Sequence, residues 1–326
     1  MKFTVVIPLY NKRNYILRAV ESVLAQTPAP MQEREDVELI VVDDGSTDGS
    51  YELVDQRLAE LKNCQVIRQS NQGVAAARNT GIAAAKGQYI CFLDADDWWE
   101  PTFLQLMEQL MVQCPDAAVY ASGFYLVKNG RRRIAPVGVP ADFERGYINY
   151  CQVYAATLCM PVSSSSAVVL KTAITEAGGF NTKLTLGEDF DLWIRLALKH
   201  KVAFENTPLS NYFQDIPAGE RATRRLHPPQ SHMLWNLDYL AEQEKHNADL
   251  KYLLDRLRCG GLFRYYLSDK YHDEAMRLLD KVDWSKQPSS IYKKYHSPRW
   301  FEHFKYRLMK ASSNIKQMLI RITMHR

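Results

Sequence analysis

No stretch of the chain approaches the roughly 18 uninterrupted apolar residues that a membrane-spanning helix needs, so a transmembrane protein is not expected. The N-terminus, MKFTVVIPLYNKRNY, places one lysine before a short apolar run that Pro8 breaks. It lacks the longer apolar region and small-residue cleavage site of a secretory signal. The six cysteines, at 64, 91, 114, 151, 159 and 259, are scattered and form no CxxC pair. That argues against a structural zinc site and against a disulfide scaffold, and it suits a reducing, cytoplasmic compartment. A large excess of charge is missing too: the net charge is +4 with 24% charged residues, and nothing in that balance demands nucleic acid. What is present is a globular composition, 46% hydrophobic over 326 residues, enough for one large domain or two modest ones.

Strand-like and helix-like segments alternate four times in the first third of the chain. FTVVIPLY, rich in β-branched residues, VELIVV (37–42), CQVIRQ (64–69) and QYICFLD (88–94) read as strands. Between and after them lie NYILRAVESVLAQ (14–26), SYELVDQRLAELK (50–62), the Ala-rich NQGVAAARNTGIAAAKG (71–87) and PTFLQLMEQLMVQC (101–114), which begins with proline. Continuous apolar strands alternating with helices predict an α/β fold, a mostly parallel sheet with helices on both faces. In such sheets ligands bind at the carboxyl ends of the strands. Those ends carry Pro8 and Tyr10, then Asp43 and Asp44, then Asn71 and Gly73, then Asp94, Asp96 and Asp97. Each is weak evidence alone; together they predict one site on one rim.

VVIPLYN, VVDDGSTDGS, NQGVAAARNTG, FLDADD and GEDFDLWIRL (187–196) stand in that order in the chain. They resemble the ordered motifs of inverting glycosyltransferases of family 2, whose fold is the Rossmann-like GT-A fold. The resemblance runs over roughly residues 3–215 and leaves the last hundred uncovered. It implies a GT-A catalytic domain over 1–228, with a nucleotide-sugar-binding half (1–100) and an acceptor half (101–228), followed by a helical C-terminal region (229–326).

The resemblance also assigns roles. Asp94 and Asp96 match the family's DxD pair, expected to hold Mn²⁺ or Mg²⁺, hard cations that take oxygen ligands and offset carboxylate repulsion. A two-residue separation puts both side chains on one side of an extended backbone and turns Asp97 elsewhere. Asp44 is expected to accept a hydrogen bond from the nucleotide base, with Asp43 as its rival, while Ser46, Thr47 and Asp48 make a turn and a helix cap. Pro8 and Tyr10 are expected to flank base and ribose, although Tyr10 also suits core packing. Asn71 and Gly73 belong to the same donor site. Arg78 either approaches the phosphates or fixes the acidic rim. Downstream, Asp189 is the expected general base of a single displacement, and Glu188 would orient the acceptor or the base. His227 is a candidate third metal ligand, since some relatives carry such a histidine, though NYFQDIPAGE (211–220) departs from the family's pattern there. Arg221, Arg224 and Arg225 are candidates to clamp the diphosphate. Trp98 and Trp99 suit sugar stacking or core packing. SSSS (163–166) suits an acceptor cleft or a turn rather than a nucleophile.

The last hundred residues read as helices over 230–261 and 262–282. From Arg299 a basic amphipathic helix is expected, with Phe301, Phe304, Leu308, Ala311, Ile315, Met318 and Ile322 on one stripe. An anionic membrane surface, the catalytic domain or a second subunit could each take that stripe. The implied partners are therefore a nucleotide-sugar donor, most readily a uridine diphosphate sugar, and a glycan or lipid-linked glycan acceptor of bacterial surface-polysaccharide or lipopolysaccharide type. The implied location is the cytoplasm, at the inner face of the membrane if that contact is made. Two rivals remain. An inactive nucleotide-sugar-binding protein would keep the donor site without turnover. An aspartyl phosphotransferase would want its DxD on the first strand and Thr where Trp98 stands.

Overall fold

The structure is a computed structural model and describes residues 2–216 and 226–309. The chain divides into two compact units, 1–241 and 242–326. The first begins with β1 (Phe3–Leu9), α1 (Ile16–Leu24), β2 (Val37–Asp43), α2 (Ser50–Leu58), β3 (Cys64–Arg68), α3 (Val74–Ala84) and β4 (Tyr89–Phe92). It continues with β5 (Trp98–Trp99), α4 (Phe103–Gln113), β6 (Ala117–Lys128), β7 (Arg131–Ile134), β8 (Arg145–Ile148) and α5 (Tyr150–Thr157). The last elements are β9 (Ala167–Leu170), α6 (Lys171–Glu176), α7 (Glu188–Ala197) and β10 (Lys201–Phe213).

Among the described residues these strands form one mixed sheet in the order β3-β2-β1-β4-β9-β6-β10-β5, with β7 beside β6 and β8 beside β10. The first four strands are parallel, as their continuous apolar runs imply, and every residue of β1 and β2 is buried. The parallel pattern stops at β9, which runs antiparallel to both β4 and β6, and resumes only between β6 and β10. AVVL is apolar in either direction, so its composition carries no sign of this reversal.

Alternation along β1 builds two cores. Phe3, Val5, Ile7 and Leu9 meet Ile16, Ala19, Val20, Val23 and Leu24 of α1 and Phe103, Leu104 and Met107 of α4. The α1 residues recur at helical spacing, and burying each large one contributes roughly 1.5–3 kcal/mol. On the other face Val6 packs so closely on α3 that a Cβ at Gly81 would stand 2.3 Å from Val6 Cγ1. Phe92 meets Phe180 and Trp193 of α7 there, at ring-centre distances of 5.2 and 6.1 Å.

The first unit ends at residue 241 rather than 228 because the intervening segment is tied to it. Thr185 N donates to Ser231 O at 2.8 Å, Met233 N to Leu186 O at 3.1 Å and Tyr239 Oη to Asp191 Oδ1 at 2.9 Å. That segment is a series of short 3-10 turns, not the start of a long helix.

The second unit contains α8 (Ala241–His246), which crosses the boundary, then α9 (Ala248–Gly261), α10 (Phe263–Tyr266), α11 (His272–Leu279) and α12 (Ser289–His296). The expected helix over 230–261 is thus interrupted, because Asn247 accepts from Leu250 N at 3.0 Å and caps a fresh start. Leu250, Leu253, Leu254, Leu262, Ala275 and Leu279 form its buried centre. Residues 299–309 are helical. The rest of the expected amphipathic stripe, Ala311, Ile315, Met318 and Ile322, lies outside the described residues, as do Arg221, Arg224 and Arg225. Among the described residues no helix is long and apolar enough to cross a membrane.

Candidate functional site

A cleft of about 1000 Å³ opens at the carboxyl ends of β1, β2 and β4, walled by Pro8, Tyr10, Asp44, Asn71, Gly73 and Arg78 and by Asp94, Asp96, Glu188 and His227. Two loops form its first wall and lock each other. After β1 the chain enters a left-handed conformation at Asn11 (φ 51°). Asn11 N donates to Ser46 Oγ at 3.0 Å, and Asn11 Oδ1 accepts from Thr47 N at 2.9 Å. Arg13 N donates to Asp48 Oδ2 at 2.9 Å. Ser46, Thr47 and Asp48 thus serve the turn, and Asp48 also accepts from Ser50 N at 3.0 Å at the start of α2.

The two acids after β2 have separate tasks. Asp44 Oδ1 accepts from Gln69 Nε2 at 2.8 Å and Gln72 N at 2.9 Å, and its Oδ2 accepts from Gly73 N at 2.8 Å. The carboxylate so holds the loop that carries Asn71 and Gly73 while lining the cleft. Asp43 is not on the cleft wall. It is wholly buried, accepts from Ser46 N at 3.3 Å and pairs with Arg68 Nε at 3.3 Å. Its carboxylate closes the turn, which corrects its placement among the donor-binding residues. Tyr10 is 47% exposed and stands on the cleft wall, not in the core.

The acidic stretch after β4 is a turn, not an extension of the strand: Asp97 N donates to Asp94 O at 3.0 Å. The turn, and not strand alternation, brings Asp94 and Asp96 to one cleft. Asp97 is turned inward, accepting from Ser165 Oγ at 2.6 Å and Phe213 N at 2.8 Å. Burial, with Asp96 and Asp94 nearby, raises its pKa well above the carboxylate range. Ser165 also accepts from Asp94 N at 3.1 Å, so the serine run braces this turn. Trp99 stacks on Phe103 at 4.0 Å and donates Nε1 to Ser165 O at 2.7 Å, a core role. Trp98 carries Arg18 over its ring at 3.8 Å, and Arg18 Nη2 donates to Asp96 O at 2.7 Å.

Each acid of the pair faces a cation of the chain. Arg78 Nη2 lies 2.7 Å from Asp94 Oδ1 and Arg78 Nη1 3.1 Å from Glu188 Oε1. Burial disfavours the guanidinium charge, but Asp94 and Glu188 outweigh it and raise the pKa. With both amino groups engaged, Arg78 fixes the acidic rim. Lys12 Nζ lies 3.0 Å from Asp96 Oδ2. Burial nevertheless raises the Asp96 pKa, with Lys12 acting against the rise and Asp94 adding to it.

The far wall begins at α7. Gly187 precedes it at φ 83°, and a side chain there would also meet Met233 Cγ at 2.5 Å, so glycine is required twice over. Glu188 lines the cleft, and Asp189 follows it, partly exposed, outside the set of wall residues. Its Oδ1 accepts from Phe190 N at 2.7 Å. Burial and then the neighbouring Glu188 push Asp189 up to about 7, against the pull of Arg78. Burial raises the pKa values of Tyr150 and Tyr154, and the nearby charge of Asp189 adds to the rise.

His227 reaches the cleft with Nδ1 2.8 Å from Thr185 Oγ1. Among the described residues no group of three or more His, Cys, Asp or Glu side chains is placed to hold a metal, so His227 does not complete a triplet with Asp94 and Asp96. Sequence reasoning passed over Lys12 and Arg18. The signal for Lys12 was its position directly after the first motif, in PLYNKR.

The description "Glycosyl transferase family 2" names the family model that matches residues 4–170. The chain is 45% identical over 106 residues to an uncharacterized glycosyltransferase of Nostoc sp., a match covering 32% of this chain and 31% of that protein. It is 29% identical over 209 residues to an uncharacterized glycosyltransferase of Rickettsia felis, covering 64% of this chain and 32% of that protein. The chain thus spans about a third of the length of these relatives. Among solved structures, S. aureus TarS 1-349 in complex with UDP-GlcNAc shares the fold, with a TM-score of 0.68 at 19% identity, covering 97% of this chain and 92% of that one.

Proposed function

The chain belongs to glycosyl transferase family 2, and on that premise we propose that it is an inverting sugar transferase. The donor is a nucleoside diphosphate sugar, and the acceptor is a hydroxyl of a glycan or lipid-linked glycan. The observation that carries this reading is one cleft in which Asp44, Asp94, Asp96 and Glu188 meet, with Asp189 beside it near a pKa of about 7. The solved TarS complex with UDP-GlcNAc, on the same fold, makes a uridine diphosphate sugar the first donor to test.

In this reading Pro8 and Tyr10 contact base and ribose, and Asp44 accepts from a ring N–H, which suits an ionised carboxylate. Asp94 and Asp96 would hold Mn²⁺ or Mg²⁺: both are hard oxygen donors on the cleft wall, and these cations commonly take one or two carboxylates and complete their shell with phosphate and water. Such a cation, when bound, neutralises charge that develops on the leaving diphosphate. Asp189 takes the proton of the acceptor hydroxyl as its oxygen bonds to the anomeric carbon and the bond from that carbon to the diphosphate oxygen breaks. Arg78 Nη1, 3.1 Å from Glu188 Oε1, holds that side chain in place next to the base.

The test is a panel of nucleotide sugars with Mn²⁺, read by thermal shift and then by turnover. A donor at about 100 times its dissociation constant adds roughly 2.7 kcal/mol. A shift followed by hydrolysis or transfer supports the reading. A shift without turnover makes the chain a nucleotide-sugar-binding protein, and no shift with any donor removes the donor site.

We also propose a peripheral contact with anionic lipid through residues 299–309. Trp300, Phe304 and Leu308, four residues apart, are 72%, 57% and 54% exposed, whereas Glu302 is turned inward at 6%. Aromatic and aliphatic side chains beside Lys305 and Arg307 suit a helix lying at a bilayer surface.

A further inference from the structure

We infer that Lys12 is a donor-binding residue that serves two partners in turn. It holds Asp96 when no divalent cation is bound, and it takes the donor's diphosphate when a cation claims that carboxylate. The inference rests on reading the cleft as a nucleoside diphosphate site.

The backbone of Lys12 is fixed on both sides. Asn11 is tied to Ser46 and Thr47, and Arg13 to Asp48 and, through Nη1 at 2.7 Å, to Gly49 O. The Lys12 carbonyl accepts from Tyr15 N at 2.9 Å and Ile16 N at 3.0 Å at the start of α1. What can move is the side chain, a compact charge with three rotatable donors on a flexible stem. Its ammonium lies 3.0 Å from Asp96 Oδ2, with Lys12 and Asp96 side chains 18% and 15% exposed, on the wall of the cleft.

The partner cannot make the exchange. Asp96 sits in a turn closed by the bond from Asp97 N to Asp94 O, and Arg18 holds its carbonyl while packing on Trp98 and Phe213. Arg78 cannot make it either, since its side chain is 4% exposed and its guanidinium is shared between Asp94 and Glu188. Among the described residues of the cleft, Lys12 therefore has both a carboxylate to give up and a stem long enough to find a new anion. Asp94 and Asp96 would already share the charge of a bound divalent cation, so the donor's diphosphate oxygens are not fully neutralised by it and the displaced ammonium has an anion to meet in the same cleft.

This predicts effects of opposite sign in one variant. Lys12→Gln removes a competitor for Asp96, so Mn²⁺ alone, titrated into the full chain and followed by the loss of its free electron paramagnetic resonance signal, should bind roughly threefold tighter. In saturating Mn²⁺ the same variant should bind uridine diphosphate about tenfold more weakly, the loss of one charge-assisted hydrogen bond. Lys12→Arg retains the cation and should keep nucleotide affinity nearer to wild type than Lys12→Gln does. If Lys12→Gln weakens both ligands together, Lys12 only braces the site and the inference is overturned. Unchanged affinity for either ligand overturns it as well. If wild-type protein shows no Mn²⁺-dependent binding of uridine diphosphate, the donor-site reading itself fails and the inference falls with it. Failure of the inference alone would leave wild-type binding intact.

Discussion

Arg78 Nη2 stands 2.7 Å from Asp94 Oδ1, and its side chain is only 4% exposed. The same guanidinium reaches Glu188, so one buried cation joins the acid at the end of β4 to the acid at the start of α7. Arg78→Met leaves both acids without it. Removing one partner of a buried pair costs about 3–5 kcal/mol, and the low end applies here because Asp94 is 33% exposed. Urea unfolding at pH 8 should show that loss. Wild-type stability at pH 8 would mean that the pair is not a structural tie.

The raised pKa of Asp189 makes stability and activity run in opposite directions with pH. The folded chain keeps a proton to about pH 7 that the unfolded chain releases near the ordinary carboxylate value of 3.8. A raised folded-state pKa contributes stability that is present below the unfolded value and is lost as pH rises through about 7. A general base must be ionised, so turnover should rise across the same upper limb. Asp189→Asn should flatten the stability change between pH 4 and 7 and lower transfer by about 10²–10⁴-fold with donor affinity retained. Turnover that falls through pH 7 as pH rises would remove Asp189 from the role of base.

The three acids of the turn should separate in binding assays. Asp94→Ala and Asp96→Ala should abolish Mn²⁺-dependent nucleotide binding. Asp97→Asn should act mainly on stability, since its carboxylate accepts from Ser165 Oγ and Phe213 N inside the protein. The check is isothermal titration beside a thermal melt. Equal losses of nucleotide affinity for Asp96→Ala and Asp97→Asn in well-folded protein would mean that the pair is misassigned.

Replacing Trp300, Phe304 and Leu308 together by Ser should reduce sedimentation with anionic vesicles while leaving transfer to a soluble acceptor analogue in place. Wild-type sedimentation should fall as salt rises, since charges are screened within about 10 Å at 0.1 M. Wild-type protein that ignores such vesicles at low salt would exclude the bilayer.

The parallel half of the sheet was legible because β1, β2 and β4 are mostly apolar runs, each leading into polar residues on the same rim. The antiparallel insertion of β9 was not, because apolarity carries no direction. The cleft's acids were legible as motifs, yet their division of labour was not. Asp43 and Asp44 are neighbours in sequence, and only the fold shows one spent on Ser46 and Arg68 and the other lining the cleft. The turn after Phe92 was read as extended strand, since a Pro or Gly that would mark a turn is missing from DADD. Lys12 escaped notice because a lysine in a loop has no pattern of its own; its partner Asp96 lies 84 positions away.

The central claim is a single displacement at the anomeric carbon with Asp189 as base, and the anomeric configuration of the product tests it most directly. Transfer from an α-linked nucleotide sugar, followed by proton NMR of the new glycosidic linkage, should give the β-linked product. A product that keeps the α configuration would contradict the account, because retention requires a mechanism other than one direct attack by the acceptor.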